Sequence, residues 1–189
     1  MLSDEINYEK QNLWLIDERL SYHRYLASDK TFKSIPLTSS KSLDKPDLLI
    51  FSDSFVFVNE DAPYNSFIIV EFKRPGRDDY STKTDKKNPI DQVISYIRTI
   101  RENKIKDRRG IFIQITNKNT PFYAYIICDY NKKLGEILSD KDFKKTPDGI
   151  GYFKYHESYN AYIEVITYDK LLKDAKNRNR ILFEKLGLP

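Results

Sequence analysis

The sequence predicts an α/β protein: a central mixed β-sheet with helices on both faces, and a C-terminal β-hairpin and helix packed onto it. Three observations lead there. Phe67-Ile68-Ile69-Val70-Glu71-Phe72 has the length of a strand and the near-continuous apolar character of one buried on both faces. After Asn88-Pro89, the residues Ile90, Val93, Ile94, Ile97 and Ile100 form one stripe at helical spacing. Helix-like and strand-like segments also alternate, in the order α β β α β β followed by an α/β tail.

Each element has its own signal. From about Tyr8 to Leu26, Leu13, Ile16 and Leu20 recur as on one helix face. Ser28 to Lys45 is polar and reads as loop with a short element. Pro46-Asp47-Leu48-Leu49-Ile50-Phe51 reads as a strand, and Phe55 to Val58 as a second strand or its continuation. Asn59 to Ser66 is turn chemistry. The strand at Phe67 to Lys73 is stopped by Pro75-Gly76. Arg77 to Lys87 is polar apart from Tyr80 and reads as an exposed, mobile loop. Asn88 is a good N-cap, Pro89 fits the first helical position, and Asp91 suits the first turn. Ile111 to Ile115 and Phe122 to Cys128 are strands. Gly149 to Val165 reads as a hairpin turning near Tyr159-Asn160, and Leu171 to Leu186 as a closing helix.

Composition narrows the class. A chain of 189 residues suits a single domain spanning 1–189. With 40% hydrophobic and 32% charged residues, and only 6 Gly and 8 Pro, it is neither disordered nor repetitive. A formal net charge of +4 tolerates a polyanionic partner but is far from that of a histone-like binder. The single cysteine, Cys128, excludes an intrachain disulfide framework and reads as a buried thiol in a reducing compartment. Met1 to Gln11 has no signal-peptide apolar region, no apolar run is long enough to span a bilayer, and no lipidation motif is present. A cytoplasmic protein without membrane contact is expected.

The chemistry concentrates around Glu71. Glu71 and Lys73 lie two apart on a strand and so share a face, and placing an acid and a base in an apolar strand is costly unless they are used. Acid-x-Lys occurs five times, at Glu71, Asp85, Glu102, Asp142 and Asp174, so the tripeptide alone carries little. The copy at Glu71 stands out because it lies within a buried-type strand. Asp47 opens the preceding strand. If the two strands pair, Asp47 and Glu71 converge at one sheet edge, where two carboxylates repel unless a cation lies between them. Oxygen ligands beside a lysine suit Mg2+ or Mn2+. Zinc is disfavoured by one cysteine and two histidines, His23 and His156, without ligand spacing. Gln92 and Tyr96 are neighbours on a helical flank, and Asp17-Glu18 is an acid pair on the first helix. The plain alternatives are a surface ion pair for the strand residues, a solvated flank for Gln92 and Tyr96, and an ordinary surface acid for Glu18.

Asp47, Glu71-x-Lys73 and Gln92-x-x-x-Tyr96, in this order, resemble the PD-(D/E)XK nuclease superfamily, in its RecB-type branch with a Q-x-x-x-Y motif. The resemblance covers about Asn12 to Cys128. The stretches Glu71 to Tyr80 and Asn88 to Val93, with Asn177-Arg178-Asn179-Arg180, are similar to the nuclease domain that follows a GHKL-type ATPase in some bacterial proteins linked to phage defence. Glu stands at position 71 where Asp is commoner, a change the family allows.

The resemblance implies a restriction-endonuclease-like core and a Mg2+-dependent endonuclease, acting on DNA with RNA left open. Mn2+ would substitute. Asp47 and Glu71 would bind the catalytic metal, for which the Phe72 carbonyl is a candidate further ligand, and Glu18 would be either a ligand of a second metal or a shaper of the site. Lys73 would orient water or stabilise charge, and Gln92 would hydrogen-bond Lys73, water or phosphate. Tyr96 would support Gln92 or contact the nucleic-acid backbone. Arg74, Arg77, Lys83, Lys86 and Lys87 flank the site and are the expected phosphate contacts. The stretch Arg98, Arg101, Lys104, Lys106, Arg108 and Arg109 reads first as a solvated helix end and loop. Tyr152, Tyr155, Tyr159, Tyr162 and Tyr168 read first as hairpin filling, and secondarily as base-stacking groups. An N-terminal ATPase domain of a longer parent and a second copy of the chain are the partners this implies. The competing class is a catalytically silent module that binds nucleic acid or a protein.

Overall fold

A computed structural model describes residues 16, 25–52, 66–82, 87–106, 110–115 and 120–186. In chain order its elements are β1 (Tyr25–Ser28), β2 (Leu48–Ser52), β3 (Ser66–Phe72), α1 (Pro89–Glu102), β4 (Lys104–Lys106), β5 (Phe112–Gln114), β6 (Phe122–Ile127), α2 (Lys132–Asp140), β7 (Lys144–Lys145), β8 (Tyr152–His156), β9 (Ala161–Ile166) and α3 (Tyr168–Leu186). The protein is α/β, with a mixed seven-stranded sheet in the order β1-β2-β3-β6-β9-β8-β7 and a small β4-β5 sheet beside it. Strands β3, β6 and β9 run parallel at the centre, and the outer pairs are antiparallel.

Alternation along the central strands divides the core in two. Phe67 and Ile69 of β3, Phe122 and Ala124 of β6, and Ile163 of β9 point to one face. There they meet Ile90, Val93, Ile97 and Ile100 of α1 and Leu134, Ile137 and Leu138 of α2. Ile68, Val70, Tyr125, Ile127 and Ile166 point the other way, against Ile16 and the start of α3 at Tyr168 and Leu171. Burial on both faces is what the apolar run of β3 requires.

Helix α1 begins as its sequence dictates. The Asn88 side chain accepts from the N–H groups of Ile90 (3.1 Å) and Asp91 (3.3 Å), and Pro89 occupies the first turn. Thr167 serves α3 in the same way, its hydroxyl accepting from Lys170 N–H at 3.2 Å. The β8-β9 hairpin turns through a short 3-10 segment, Glu157–Tyr159, and Asn160 at φ 45°.

Several expectations need correction. Tyr25 and Leu26 are not the end of a helix but the start of β1, paired with Phe51 and Ile50. The Tyr25 ring packs edge-on against Phe51 at 5.6 Å, so cross-strand burial outweighs the helical periodicity there. The remainder of the expected first helix, other than Ile16, and the expected strand at 55–58 lie outside the described residues. Helix α2 is additional. Its apolar residues Leu134, Ile137 and Leu138 lie among lysines and a glycine, which weakens the sequence signal. A Cβ on Gly135 would run into the Tyr130 hydroxyl and displace that ring, and glycine in this helix interior costs about 1 kcal/mol relative to alanine.

The loop after β3 is held rather than free in its described part. Gly76 N–H donates to Asp129 Oδ2 at 2.6 Å, Asn131 Nδ2 to the Arg77 carbonyl at 2.9 Å, and Lys133 Nζ to the Asp78 carbonyl at 2.9 Å. Tyr80 is buried beneath it. Gly76 sits at φ +71°, a turn that a side chain would strain.

Candidate functional site

The site forms at the C-terminal ends of the parallel strands, where open α/β sheets generally place their ligands. It belongs to the interior strands β2 and β3, not to an edge strand. Antiparallel pairing of Leu48 with Val70 brings Asp47, one residue earlier, beside the end of β3. Asp47 Oδ2 accepts a hydrogen bond from Phe72 N–H at 2.7 Å. The backbone of Asp47 is itself pinned, since its carbonyl accepts from Asp29 N–H at 2.9 Å.

Glu71 and Lys73 point from β3 toward α1. They are only 4% and 5% exposed, and Lys73 Nζ donates to Glu71 Oε1 at 2.6 Å. The ammonium donates also to Gln92 Oε1 at 2.7 Å. Gln92 Nε2 in turn reaches the Tyr96 hydroxyl at 2.5 Å, and that hydroxyl donates to the Lys45 carbonyl at 3.3 Å. One chain of polar contacts therefore runs from Glu71 through α1 to the residue two before Asp47. The helical repeat explains the arrangement: Gln92 and Tyr96, four apart, stack on one flank of α1 facing β3.

The electrostatics are uneven. Burial raises the Glu71 carboxyl above its ordinary range, against the opposing pull of Lys73, and the charge of Asp47 raises it further. Among the described residues the buried Glu71 Oε2 has no hydrogen-bond partner. Burial also raises the Tyr96 hydroxyl, aided by the charge of Glu71, so it remains protonated as a donor. Cys128 at the end of β6 is buried, and its thiol is pushed up to about 12, chiefly by that burial. It stays an inert thiol.

Of the sequence-derived residues, the structure gathers Asp47, Glu71, Lys73, Gln92 and Tyr96. Tyr96 is 3% exposed, which suits support of Gln92 and denies it contact with a nucleic-acid backbone. Arg74, the residue after Lys73, is exposed. Arg77 is half-buried, donating to Asp79 at 2.6 Å and lying over the Tyr80 ring at 5.4 Å. Lys87 is exposed, 3.7 Å from the same Asp79. Glu18, with Asp17, lies outside the described residues, as do Lys83 and Lys86. Arg101 is not a solvated helix end. It donates to the carbonyls of Thr120 (3.0 Å) and Tyr159 (2.9 Å) and lies 4.8 Å over Phe122.

Three contacts were not legible in the sequence. Asp129 holds Gly76. The Lys45 carbonyl receives Tyr96. The hydroxyl of Tyr168, the first residue of α3, donates to the Lys73 carbonyl at 2.8 Å. Parallel strands bring their C-terminal ends together, so a residue just past β6 or β9 was the available signal, once the strand order was known.

Among the described residues no group of three or more His, Cys, Asp or Glu side chains comes together as a metal cage. The two carboxylates that do come to this site are Asp47 and Glu71, each affecting the other electrostatically. Among the described residues no helix is long and apolar enough to cross a membrane. No family model matches the chain, and neither a curated protein nor a solved structure matches it significantly.

Proposed function

We propose that the protein is a metal-dependent phosphodiester hydrolase, an endonuclease acting on DNA, as the resemblance to the PD-(D/E)XK nucleases suggests. The observation that carries this reading is the buried Glu71 Oε2, unpartnered among the described residues, in the same site as Asp47, with Lys73 fixed between Glu71 and Gln92. A buried acceptor without a donor is costly unless a ligand completes it. Asp47 and Glu71 would hold Mg2+ or Mn2+, which suits hard oxygen donors. When bound, such an ion supplies charge stabilisation at the phosphoryl oxygen and a more acidic water.

The chain's own groups do the rest. Lys73 has three N–H donors, of which Glu71 and Gln92 take two. The third is available to orient an attacking water or to stabilise charge on the phosphoryl oxygens. Gln92 and Tyr96 hold the ammonium in that direction. Asp47 fixes the backbone at Phe72 between the two reactive side chains. Arg74, with Arg77 and Lys87, would position the phosphate backbone without reading bases.

A second reading is supported by the direct bond between Glu71 and Lys73. It describes a nuclease-like module that is silent until a partner domain opens that pair.

The deciding experiment incubates the protein with plasmid, linear duplex, single-stranded DNA and RNA, in Mg2+, Mn2+ or EDTA, beside Lys73→Ala and Glu71→Ala. Metal-dependent cutting of DNA that both variants lose is the expected result. Binding that needs no metal, survives both substitutions and is never followed by cutting would sink the nuclease reading. Calorimetric Mg2+ binding without cutting would favour the silent module.

A further inference from the structure

The connection between β6 and α2 carries a second feature on the same end of the sheet. Tyr130 follows Asp129, the residue that holds the turn after Lys73. Its ring lies flat against Tyr152 of β8, with centroids 5.3 Å apart and planes 7° from parallel. Tyr152 packs partly against the core and is the fixed member of the pair. Tyr130 is the outer member, 50% exposed.

Packing alone accounts poorly for this arrangement. A ring left half in water buries little apolar area, yet the fold makes room for it. The interior of α2 keeps Gly135 where a Cβ would strike the Tyr130 hydroxyl. Two exposed lysines belong to the same segments: Lys145 of β7 stands directly opposite Tyr152 in the ladder and acts electrostatically on Tyr130, and Lys132, two residues after Tyr130, opens α2. Stacked aromatic faces and exposed ammonium groups match bases and phosphates respectively, and need no particular base sequence.

We infer that Tyr130, backed by Tyr152 and accompanied by Lys132 and Lys145, is a stacking platform for an unpaired base. It makes single-stranded nucleic acid the preferred substrate class of the neighbouring site. Bases within a duplex are stacked on each other and present no face to such a ring, so a strand end or an unwound segment is what it selects. The inference rests on the nuclease reading for the use made of the strand, but the binding it describes does not require cutting.

The test measures fluorescence anisotropy of labelled oligo-dT, oligo-rU and a blunt duplex in EDTA, where cutting is switched off. Wild type, Tyr130→Ala, Tyr130→Trp, Gly135→Ala and Lys73→Ala are compared. Tyr130→Ala should weaken binding of the unpaired strands about tenfold, the size of one lost stacking contact, and change duplex binding less than about twofold. Tyr130→Trp should retain or improve it. Gly135→Ala should weaken single-strand binding without lowering the melting temperature, because it displaces the ring while favouring the helix. The dT and rU arms separate DNA from RNA. Equal single-strand affinity in Tyr130→Ala and wild type, equal losses on single strand and duplex, or no nucleic-acid binding by wild type would each overturn the platform. Tyr130-dependent binding with no metal-dependent cutting would retain the platform and sink the nuclease. Cutting lost in Lys73→Ala, with binding indifferent to Tyr130, would do the reverse.

Discussion

Asp47 accepts a hydrogen bond from the backbone N–H of Phe72, the residue between Glu71 and Lys73, at 2.7 Å. On the proposed metal-dependent reading the acid would have two separable jobs, one structural and one electrostatic. Asp47→Asn keeps an acceptor oxygen and loses the charge. Its melting temperature should stay near that of wild type, while Mn2+ affinity measured by calorimetry falls by about tenfold or more, as for the loss of a metal-ligand charge. Asp47→Ala should also lose stability, by about 0.5–1.5 kcal/mol in urea unfolding, because Phe72 N–H exchanges its carboxylate partner for water. Unchanged Mn2+ affinity in Asp47→Asn would remove Asp47 from the metal site.

Lys73 and Glu71 form a buried ion pair, and such pairs are more costly to break than to replace. Lys73→Ala should destabilise the metal-free protein by about 3–5 kcal/mol, leaving an uncompensated buried carboxylate. The double variant Glu71→Gln, Lys73→Met should recover most of that loss while remaining without activity. Denaturant titration of the three proteins checks this, and a double variant no more stable than Lys73→Ala contradicts it.

On the nuclease reading Tyr96 would act through Gln92, to which it is hydrogen-bonded, so its removal should change rate more than binding. Tyr96→Phe keeps the buried ring and deletes the hydroxyl that bridges Gln92 and the Lys45 carbonyl. Relative to wild type, kcat should fall about tenfold, or about 1.4 kcal/mol, with KM nearly unchanged. A rise in KM alone would instead make Tyr96 a substrate contact.

The C-terminal hairpin supplies a pH signature away from the site. Asp148 is held below its usual 3.8, first by hydrogen bonding to Lys170, then by the Thr146 hydroxyl and Ile150 N–H. Lys170 is buried and pairs also with Asp174 at 2.9 Å. A depressed acid stabilises the fold fully above its unfolded pKa. The unfolded chain takes up the proton first as pH falls, so this contribution declines below about pH 4 and vanishes beneath the folded pKa. Asp148→Asn should therefore be less stable than wild type at pH 7 and converge with it in strong acid. Parallel stability curves from pH 7 to pH 2 would contradict the assignment.

The sequence reading succeeded where one local pattern decided the outcome. The run from Phe67 to Phe72 had to be a doubly buried strand, and Asn88-Pro89 with its isoleucine stripe had to begin a helix. Glu71, Lys73, Gln92 and Tyr96 were legible because strand and helix periods place them on facing surfaces. The reading failed where long-range pairing overruled local pattern. Tyr25 and Leu26 follow β2 into the sheet, and Leu134, Ile137 and Leu138 make a helix from a lysine-rich, glycine-interrupted segment. The anchored loop at Gly76 to Tyr80 was misread as mobile for the same reason. Its partners Asp129, Asn131 and Lys133 lie more than 50 positions further along the chain.

The β2-β3 register has an evolutionary implication. Asp47 meets the end of β3 through the pairing of Leu48 with Val70 and its bond to Phe72 N–H, so the register of this strand pair sets where the acid stands. Segment 53–65 should then accept insertions and sequence drift with little effect on the site. One residue added between Asp47 and Leu48 would instead turn the acid to the opposite side of the sheet. Length variation among descendants of this chain should accumulate in that connection and avoid those two positions.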